Sequence, residues 1–231
     1  MIEGAHIVVI VPARDEEAAI GKVLSEIPPS VSEVIVVDNG STDATAERAR
    51  AAGARVVAET RRGYGRACLA GIAAASQADV VVFLDGDGSD YPESLPSLVA
   101  PILAGEADLV IGSRSLGSRA PGAQPWHAVL GTRVSVALMN MLIGTEATDL
   151  GPFRAISAEA LGRLEMRDTD FGWTVEMQAK AHWRGLRVRE IPVDYRPRLG
   201  RSKISGTLTG SLRAGAKILT TIVRYALRGS G

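Results

Sequence analysis

Asp85 and Asp87 sit either side of Gly86, directly after the apolar run Val80-Val81-Val82-Phe83-Leu84. Gly86 lets the chain turn, so the two carboxylates can converge on one point at the end of a strand. Such a pair suits a hard divalent cation, Mg2+ or Mn2+, which keeps several waters and takes its remaining ligands from substrate phosphates. A solvated acidic turn is the plainer reading of an isolated Asp-Gly-Asp. The buried strand before it and the order of the rest of the chain favour the cation.

The elements that must position this pair follow from the apolar pattern. His6 to Val11, Val34 to Val37, Arg55 to Ala58, Val80 to Leu84 and Asp108 to Ile111 read as strands. Between them lie helical stretches: Arg14 to Ile27 with Asp15 as N-cap, a stretch to Ala52 capped by Ser41, Thr42 or Asp43, then Ala67 to Ser76 and Pro92 to Leu103. Near-continuous apolar strands alternating with helices predict an α/β fold, a mostly parallel Rossmann-like sheet covered by helices on both faces. Right-handed crossovers then bring the loops at Arg14–Glu16, Asp38-Asn39 and Asp85–Asp87 to one crevice. Gly63-Tyr64-Gly65-Arg66 is too short for a dinucleotide or P-loop fingerprint, and a nucleotide here would depend on carboxylates and a metal.

Further along, Ser115 to Pro125 reads as a mobile loop or lid, Val129 to Ile143 as an amphipathic helix bearing Arg133, Phe171 to His182 as a helix and Leu186 to Val193 as a strand. Arg196, Arg198, Arg201 and Lys203 form a basic loop with no acid inside it. Thr207 to Leu227 reads as a last helix. At about 100° per residue, Arg213, Lys217, Arg224 and Arg228 share one side, opposite Leu208, Leu212, Leu219, Ile222 and Val223. It fits a helix docked on the domain or one lying on anionic lipid, giving an organisation of 1–206 plus a C-terminal amphipathic helix over 207–231.

Composition narrows the classes. Lys+Arg and Asp+Glu are both 26 in 231 residues, so no global charge argues for nucleic acid. The single cysteine, Cys68, excludes an internal disulfide framework and reads as a packing residue, and three scattered histidines exclude a His-rich metal site. Ile7 to Val11 reads as a first strand rather than a signal peptide, and no run reaches the roughly 20 apolar residues of a membrane span. The expectation is a cytoplasmic protein, with any membrane contact peripheral and at the inner face.

Three motifs in order, Val11-Pro12-Ala13-Arg14-Asp15-Glu16-Glu17, Val36-Val37-Asp38-Asn39-Gly40-Ser41-Thr42-Asp43 and Leu84-Asp85-Gly86-Asp87, resemble a family-2 glycosyltransferase with the GT-A fold. Tyr91-Pro92-Glu93, Gly112-Ser113-Arg114, Asp149 to Arg154 and Arg201-Ser202-Lys203 extend the resemblance towards the dolichyl/polyprenyl-phosphate mannose or glucose synthase branch. The resemblance implies a nucleotide-diphosphate sugar donor. Pro12, Ala13, Glu16 and Asp38 match base and ribose positions, with Arg14, Gly65, Arg66 and Gly86 as further donor contacts. Asp85 and Asp87 match the metal–diphosphate motif, and Arg114, Arg133, Arg198 and Lys203 match cations that meet donor or acceptor phosphates. Three positions depart from the pattern: Asn39 where a second Asp is common, Arg14 where an aromatic residue is frequent and Ser89 in place of Gln.

The implied chemistry has a simple charge logic. Cleaving the sugar–diphosphate bond loads negative charge on the leaving group, which the metal and Arg198 or Lys203 would stabilise. A phosphate monoester acceptor, with a second pKa near 6, needs positioning more than deprotonation, and Arg114 and Arg133 are candidate clamps. A hydroxyl acceptor would need a base, for which Asp149, Asp168 and Asp170 are candidates. In-line attack inverts the anomeric centre. The acceptor expected is a lipid phosphate. A soluble phosphorylated acid such as a phosphoglycerate, and a non-catalytic nucleotide-sugar-binding subunit, remain alternatives, and a homo-oligomer stays open.

Overall fold

The computed structural model describes residues 4–200 and 208–228. Its strands are β1 (Ile7–Ala13), β2 (Glu33–Asp38), β3 (Arg55–Ala58), β4 (Val80–Phe83), β5 (Leu109–Ser113), β6 (Arg154–Ser157) and β7 (Val188–Pro192). They form one sheet in the order β3-β2-β1-β4-β6-β5-β7. All pairings are parallel except those of β6, which runs antiparallel to both β4 and β5. The mostly parallel α/β sheet expected from the apolar runs is therefore present. The antiparallel insertion was not legible, because Arg154-Ala155-Ile156-Ser157 is short and opens on an arginine.

Side-chain alternation along the strands divides the core in two. Ile7, Val9 and Val11 of β1 pack on one face with Val82, Leu95 and Leu98. Val8 and Ile10 pack on the other with Cys68, Phe83 and Trp173. The helices that cover these faces are α1 (Ile20–Ser25), α2 (Thr45–Ala51), α3 (Tyr64–Ala74), α4 (Leu95–Leu103), α6 (Ala158–Leu164) and α7 (Trp173–Trp183), while α5 (Trp126–Ile143) and α8 (Leu208–Arg228) pack outside them. A third cluster joins α5, α7 and α8 through Met139, Val175, Ile222 and Tyr225.

Several local expectations are corrected. Asp15 does not cap α1, whose first residue is Ile20. It takes a left-handed backbone (φ 50°), and its carboxylate accepts hydrogen bonds from the backbone N–H and hydroxyl of Thr42. The segment from Ser115 to Pro125 is anchored in its first half: the N–H of Ser118 donates to Asp194, that of Ala120 to the Tyr195 carbonyl, and Gly117 lies so close to Val193 that a Cβ would overlap its backbone. The helix read from Val129 starts at Trp126 and is not amphipathic. It buries Val136, Met139 and Ile143 while leaving Trp126, Leu130 and Met141 in the open. Among the described residues it is the one helix long and apolar enough, by length and composition, to cross a membrane. On α8, Ile222 is buried as expected, but Val223 is exposed.

Candidate active site

The loops leaving β1, β2 and β4 meet at one edge of the sheet and enclose a cleft of about 490 Å3. Pro12, Ala13, Arg14 and Glu16 line one wall, Asn39 and Arg62 to Ala67 in part another, and Asp85, Gly86 and Asp87 the floor. Asp170, Phe171 and Arg198 complete it. The β1 and β2 loops hold each other: the N–H groups of Asp15 and Glu16 donate to Ser41 Oγ (2.9 Å) and Thr45 Oγ1 (2.7 Å).

Asn39 is the organiser of the second wall. Its Nδ2 donates to the carbonyls of Glu59 (3.0 Å) and Arg61 (2.9 Å), and its Oδ1 accepts from the N–H of Gly63 (2.8 Å). An aspartate could not make the two donations, which explains the departure from the Asp-Asp pattern. The loop it holds, 59–63, runs into two glycines pressed on the chain ahead of α7. A Cβ on Gly63 would lie 2.2 Å from the Thr169 carbonyl oxygen, and one on Gly65 2.1 Å from that of Asp168.

On the floor, Asp85 Oδ1 is buried with no hydrogen-bond partner. Burial, with the Asp87 charge beside it, pushes the Asp85 carboxyl up to about 7. Asp87 is better served: one oxygen accepts from the N–H of Ser89 (2.9 Å), and the other lies 3.4 Å from Arg198, whose guanidinium also binds Glu16 at 2.9 Å. A carboxyl pair that resists sharing negative charge, with one oxygen left unpaired and an open cleft above, is the donor set a hard divalent ion requires. No group of three or more His, Cys, Asp or Glu able to hold a metal exists among the described residues. An ion on Asp85 and Asp87 would thus be completed by water and ligand oxygens.

The basic loop is not without acids once folded. Arg196 binds Glu26 and donates to the Gly88 carbonyl (2.7 Å), while the N–H of Leu199 donates to the Asp87 carbonyl (2.9 Å). The loop is thereby laid against the Asp87 turn. Lys203 lies outside the described residues.

Other expected site residues separate from the cleft. Arg114 and Asp149 form one buried ion pair (2.7 Å) behind it. Asp149 accepts from the Arg114 N–H, Nε and Nη2 and from the Leu150 N–H, four bonds that occupy the four lone-pair positions of a carboxylate. Burial raises its pKa, but these donors outweigh burial and hold it below the ordinary value. The folded site leaves Asp149 no lone pair with which to act as a base. Asp168 is committed too: it accepts from the Asp170 N–H (2.7 Å) and lies 3.6 Å from Lys217. Of the three base candidates only Asp170 lines the cleft. Arg133 is exposed on α5 and does not line it, nor do Asp38, Gly65 and Arg66, which hold its walls. Asp38 accepts from the Ser41 N–H (3.1 Å), and the Arg66 N–H donates to the Thr169 carbonyl (3.2 Å).

Two buried polar residues, Asp90 and Glu176, had no role in the sequence reading, and Arg154 entered it only as the end of the Asp149 to Arg154 motif. Asp90, just past the acidic turn, is buried with both carboxylate oxygens unpartnered, and burial with the Asp85 charge drives its pKa well up. Arg154 is not in an ion pair among the described residues. It donates to the carbonyls of Gly151 and Thr174, and burial pulls its pKa down to about 10. Glu176 gathers the N–H groups of Arg167 and Asp168, the Lys180 ammonium (2.8 Å) and the Tyr225 hydroxyl (2.8 Å). The one sequence signal for Glu176 was the Glu176–Lys180 spacing, ordinary on any helix.

The family model described as glycosyl transferase family 2 matches residues 8–164, which include all of β1 but its first residue, the Asp85–Asp87 turn and β6. The chain belongs to this family. An uncharacterized glycosyltransferase of Mycobacterium tuberculosis is 40% identical over 215 residues, covering 91% of this chain and 95% of the relative. The dolichyl-phosphate hexose transferase of Haloferax volcanii is 32% identical over 224 residues, covering 95% of each. Among solved structures, the glucosyl-3-phosphoglycerate synthase of M. tuberculosis in complex with Mn2+, UDP and glucosyl-3-phosphoglycerate superposes with a TM-score of 0.79 at 30% identity, covering 96% of this chain and 80% of that one. The family-2 enzymes are glycosyltransferases, and this chain carries their GT-A-like α/β sheet with the acidic turn at its mouth.

Proposed function

We propose that the chain transfers a hexose from a nucleoside-diphosphate sugar to polyprenyl phosphate, with inversion and with Mg2+ or Mn2+. The observation that carries the reading is the unpaired Asp85 oxygen beside Asp87 on the floor of the cleft. Asp85 and Asp87 would hold the ion. When bound, such an ion supplies a Lewis acid against the charge of a departing nucleoside diphosphate. Arg198, already bridging Glu16 and Asp87, adds a cation at the same corner. Pro12, Ala13, Glu16 and Asn39 form the wall for the nucleoside, and Phe171 closes the opposite side.

A phosphate acceptor fits a cleft that contains arginines and no histidine. Its attacking oxygen already carries charge near neutral pH, so the chain has to orient it rather than take its proton. Arg14 and Arg62 are the lining cations that take the role assigned to Arg114 and Arg133 from sequence. The similarity to a dolichyl-phosphate hexose transferase along 95% of both chains supports the lipid acceptor. A second reading, transfer to a phosphoglycerate, is supported by the likeness to glucosyl-3-phosphoglycerate synthase. One assay separates them: purified chain, Mn2+, UDP-glucose or GDP-mannose, and either polyprenyl phosphate or 3-phosphoglycerate. A glycolipid product is expected. Product on phosphoglycerate alone would establish the second reading, and none on either acceptor with any donor would remove both.

A further inference from the structure

We infer that α5 and α8 together form a face that docks on an anionic lipid bilayer. A helix packed on the surface of a soluble domain normally turns one apolar stripe inward and a polar face to water. α5 does not. Val136, Met139 and Ile143 are buried, yet Trp126, Leu130, Val134 and Met141 are exposed, Trp126 by 77% and Met141 by 71%. At roughly 100° per residue these four fall within a sector of about 80°, diametrically across from the buried set. α8 packs on α5 and presents Val223 and Leu227, the latter 83% exposed. Thr220, which shares that side, turns its hydroxyl onto the carbonyls of Ala216 and Lys217 and so spends its polarity inside the helix. Exposed apolar side chains on two helices packed together mark an interaction site.

Charge selects the occupant. Neither helix contains an Asp or Glu, in a chain whose acids and bases balance, and their sequences carry Arg133, Arg213, Arg224 and Arg228, besides Lys217, which pairs with Asp168. Arg133 and Arg224 are exposed at the margins of the apolar stripes. A second copy meeting this face around a twofold axis would set cations against cations with no acid on either helix to balance them. An anionic bilayer complements both features: apolar side chains enter the acyl boundary, a tryptophan sits at its level and arginines meet the headgroups. α5 is apolar enough to span, but its inner residues are committed to α7 and α8 in the third core cluster, so it lies along the membrane. The docking stands apart from the identity of the acceptor.

The test is co-sedimentation of the full chain with vesicles of phosphatidylcholine alone and of phosphatidylcholine mixed equally with phosphatidylglycerol. Binding is expected to the mixed vesicles, weakened by salt, with a blue shift of tryptophan emission. Leu130→Glu combined with Met141→Glu should lower the affinity at least about tenfold and leave unchanged the melting temperature and the rise in it caused by UDP with Mn2+. That last readout follows the cleft, so a failure of docking and a failure of the transferase reading are told apart. The inference is overturned if the wild-type chain binds neither vesicle, or if the double variant keeps its fold and binds as well as wild type. It is also overturned if light scattering finds a dimer that the variant abolishes while vesicle binding is absent. Should the double variant not fold, Trp126→Ala alone must remove the emission shift.

Discussion

Replacing Asp149 by alanine tests whether the Arg114–Asp149 pair is structural, as its geometry argues, or chemical, as its position in the sequence implied. Asp149 is fully buried and Arg114 is 9% exposed. The substitution leaves a guanidinium shut away from water without its bidentate partner, and strips the Arg114 and Leu150 N–H groups of their acceptor. Loss of one member of a buried ion pair costs about 3–5 kcal/mol. For a domain of this size each kcal/mol moves Tm by about 2–4 °C, so the expected fall is roughly 6–20 °C. Thermal unfolding followed by circular dichroism would measure it, alongside transfer activity below the new Tm. Combining Asp149→Leu with Arg114→Met should recover most of the loss, because no charge is then left buried alone. The pH profile gives a second check. The folded carboxyl titrates below its unfolded value near 3.9, so its stabilisation is complete above that pH and disappears as pH falls through the folded pKa. Asp149→Ala should therefore flatten the acid limb. A loss under about 1 kcal/mol with activity abolished would refute the structural role and restore Asp149 to the chemistry.

Asp85→Asn or Asp87→Asn should remove the extra Tm that Mn2+ adds to UDP binding, in a thermal-shift titration; an unchanged Mn2+ effect would place the ion elsewhere. Asn39→Asp turns two donated bonds into repulsion against the Glu59 and Arg61 carbonyls and should cost about 1–3 kcal/mol. Its nucleotide affinity should fall as well, and wild-type binding by calorimetry would contradict the role of Asn39 in shaping the wall. Gly65→Ala forces a Cβ to 2.1 Å from the Asp168 carbonyl oxygen, so it should displace the 168–171 segment and weaken UDP binding. Stability within about 0.5 kcal/mol of wild type would mean that the contact yields freely.

The sheet and the acidic floor were legible because both depend on short-range signals. Unbroken β-branched runs leave β1, β2 and β4 few alternatives to a buried parallel sheet, and right-handed crossovers then fix which loops share a crevice. What was not legible depends on partners far away in the chain. The acids that balance Arg196 and Arg198 include Glu26 and Glu16, 170 and 182 residues away in the chain. Arg114 matched a phosphate-binding position by local motif, yet its carboxylate partner lies thirty-five residues on. No local pattern distinguishes a cation reserved for a ligand from one already claimed by an acid.

The same limit hid the connection between α8 and the cleft. Periodicity sorted the cations of α8 from its apolar residues but could not place Tyr225, which is neither, or Thr221. In the fold Tyr225 donates to Glu176, and Thr221 touches the place where a Cβ on Gly172 would be. Glu176 in turn holds the N–H groups of Arg167 and Asp168, and Asp168 holds that of Asp170, a lining residue of the cleft. The path from the outer helix to the cleft is thus a chain of charge-assisted hydrogen bonds through a buried glutamate. Tyr225→Phe removes one link without changing shape. It should lower stability by about 1 kcal/mol and, if the chain of bonds sets the Asp170–Phe171 wall, weaken UDP binding more than the distance between Tyr225 and the nucleotide would lead one to expect. Unaltered UDP affinity in a destabilised Tyr225→Phe protein would show that the wall is held by Gly63 and Gly65 alone.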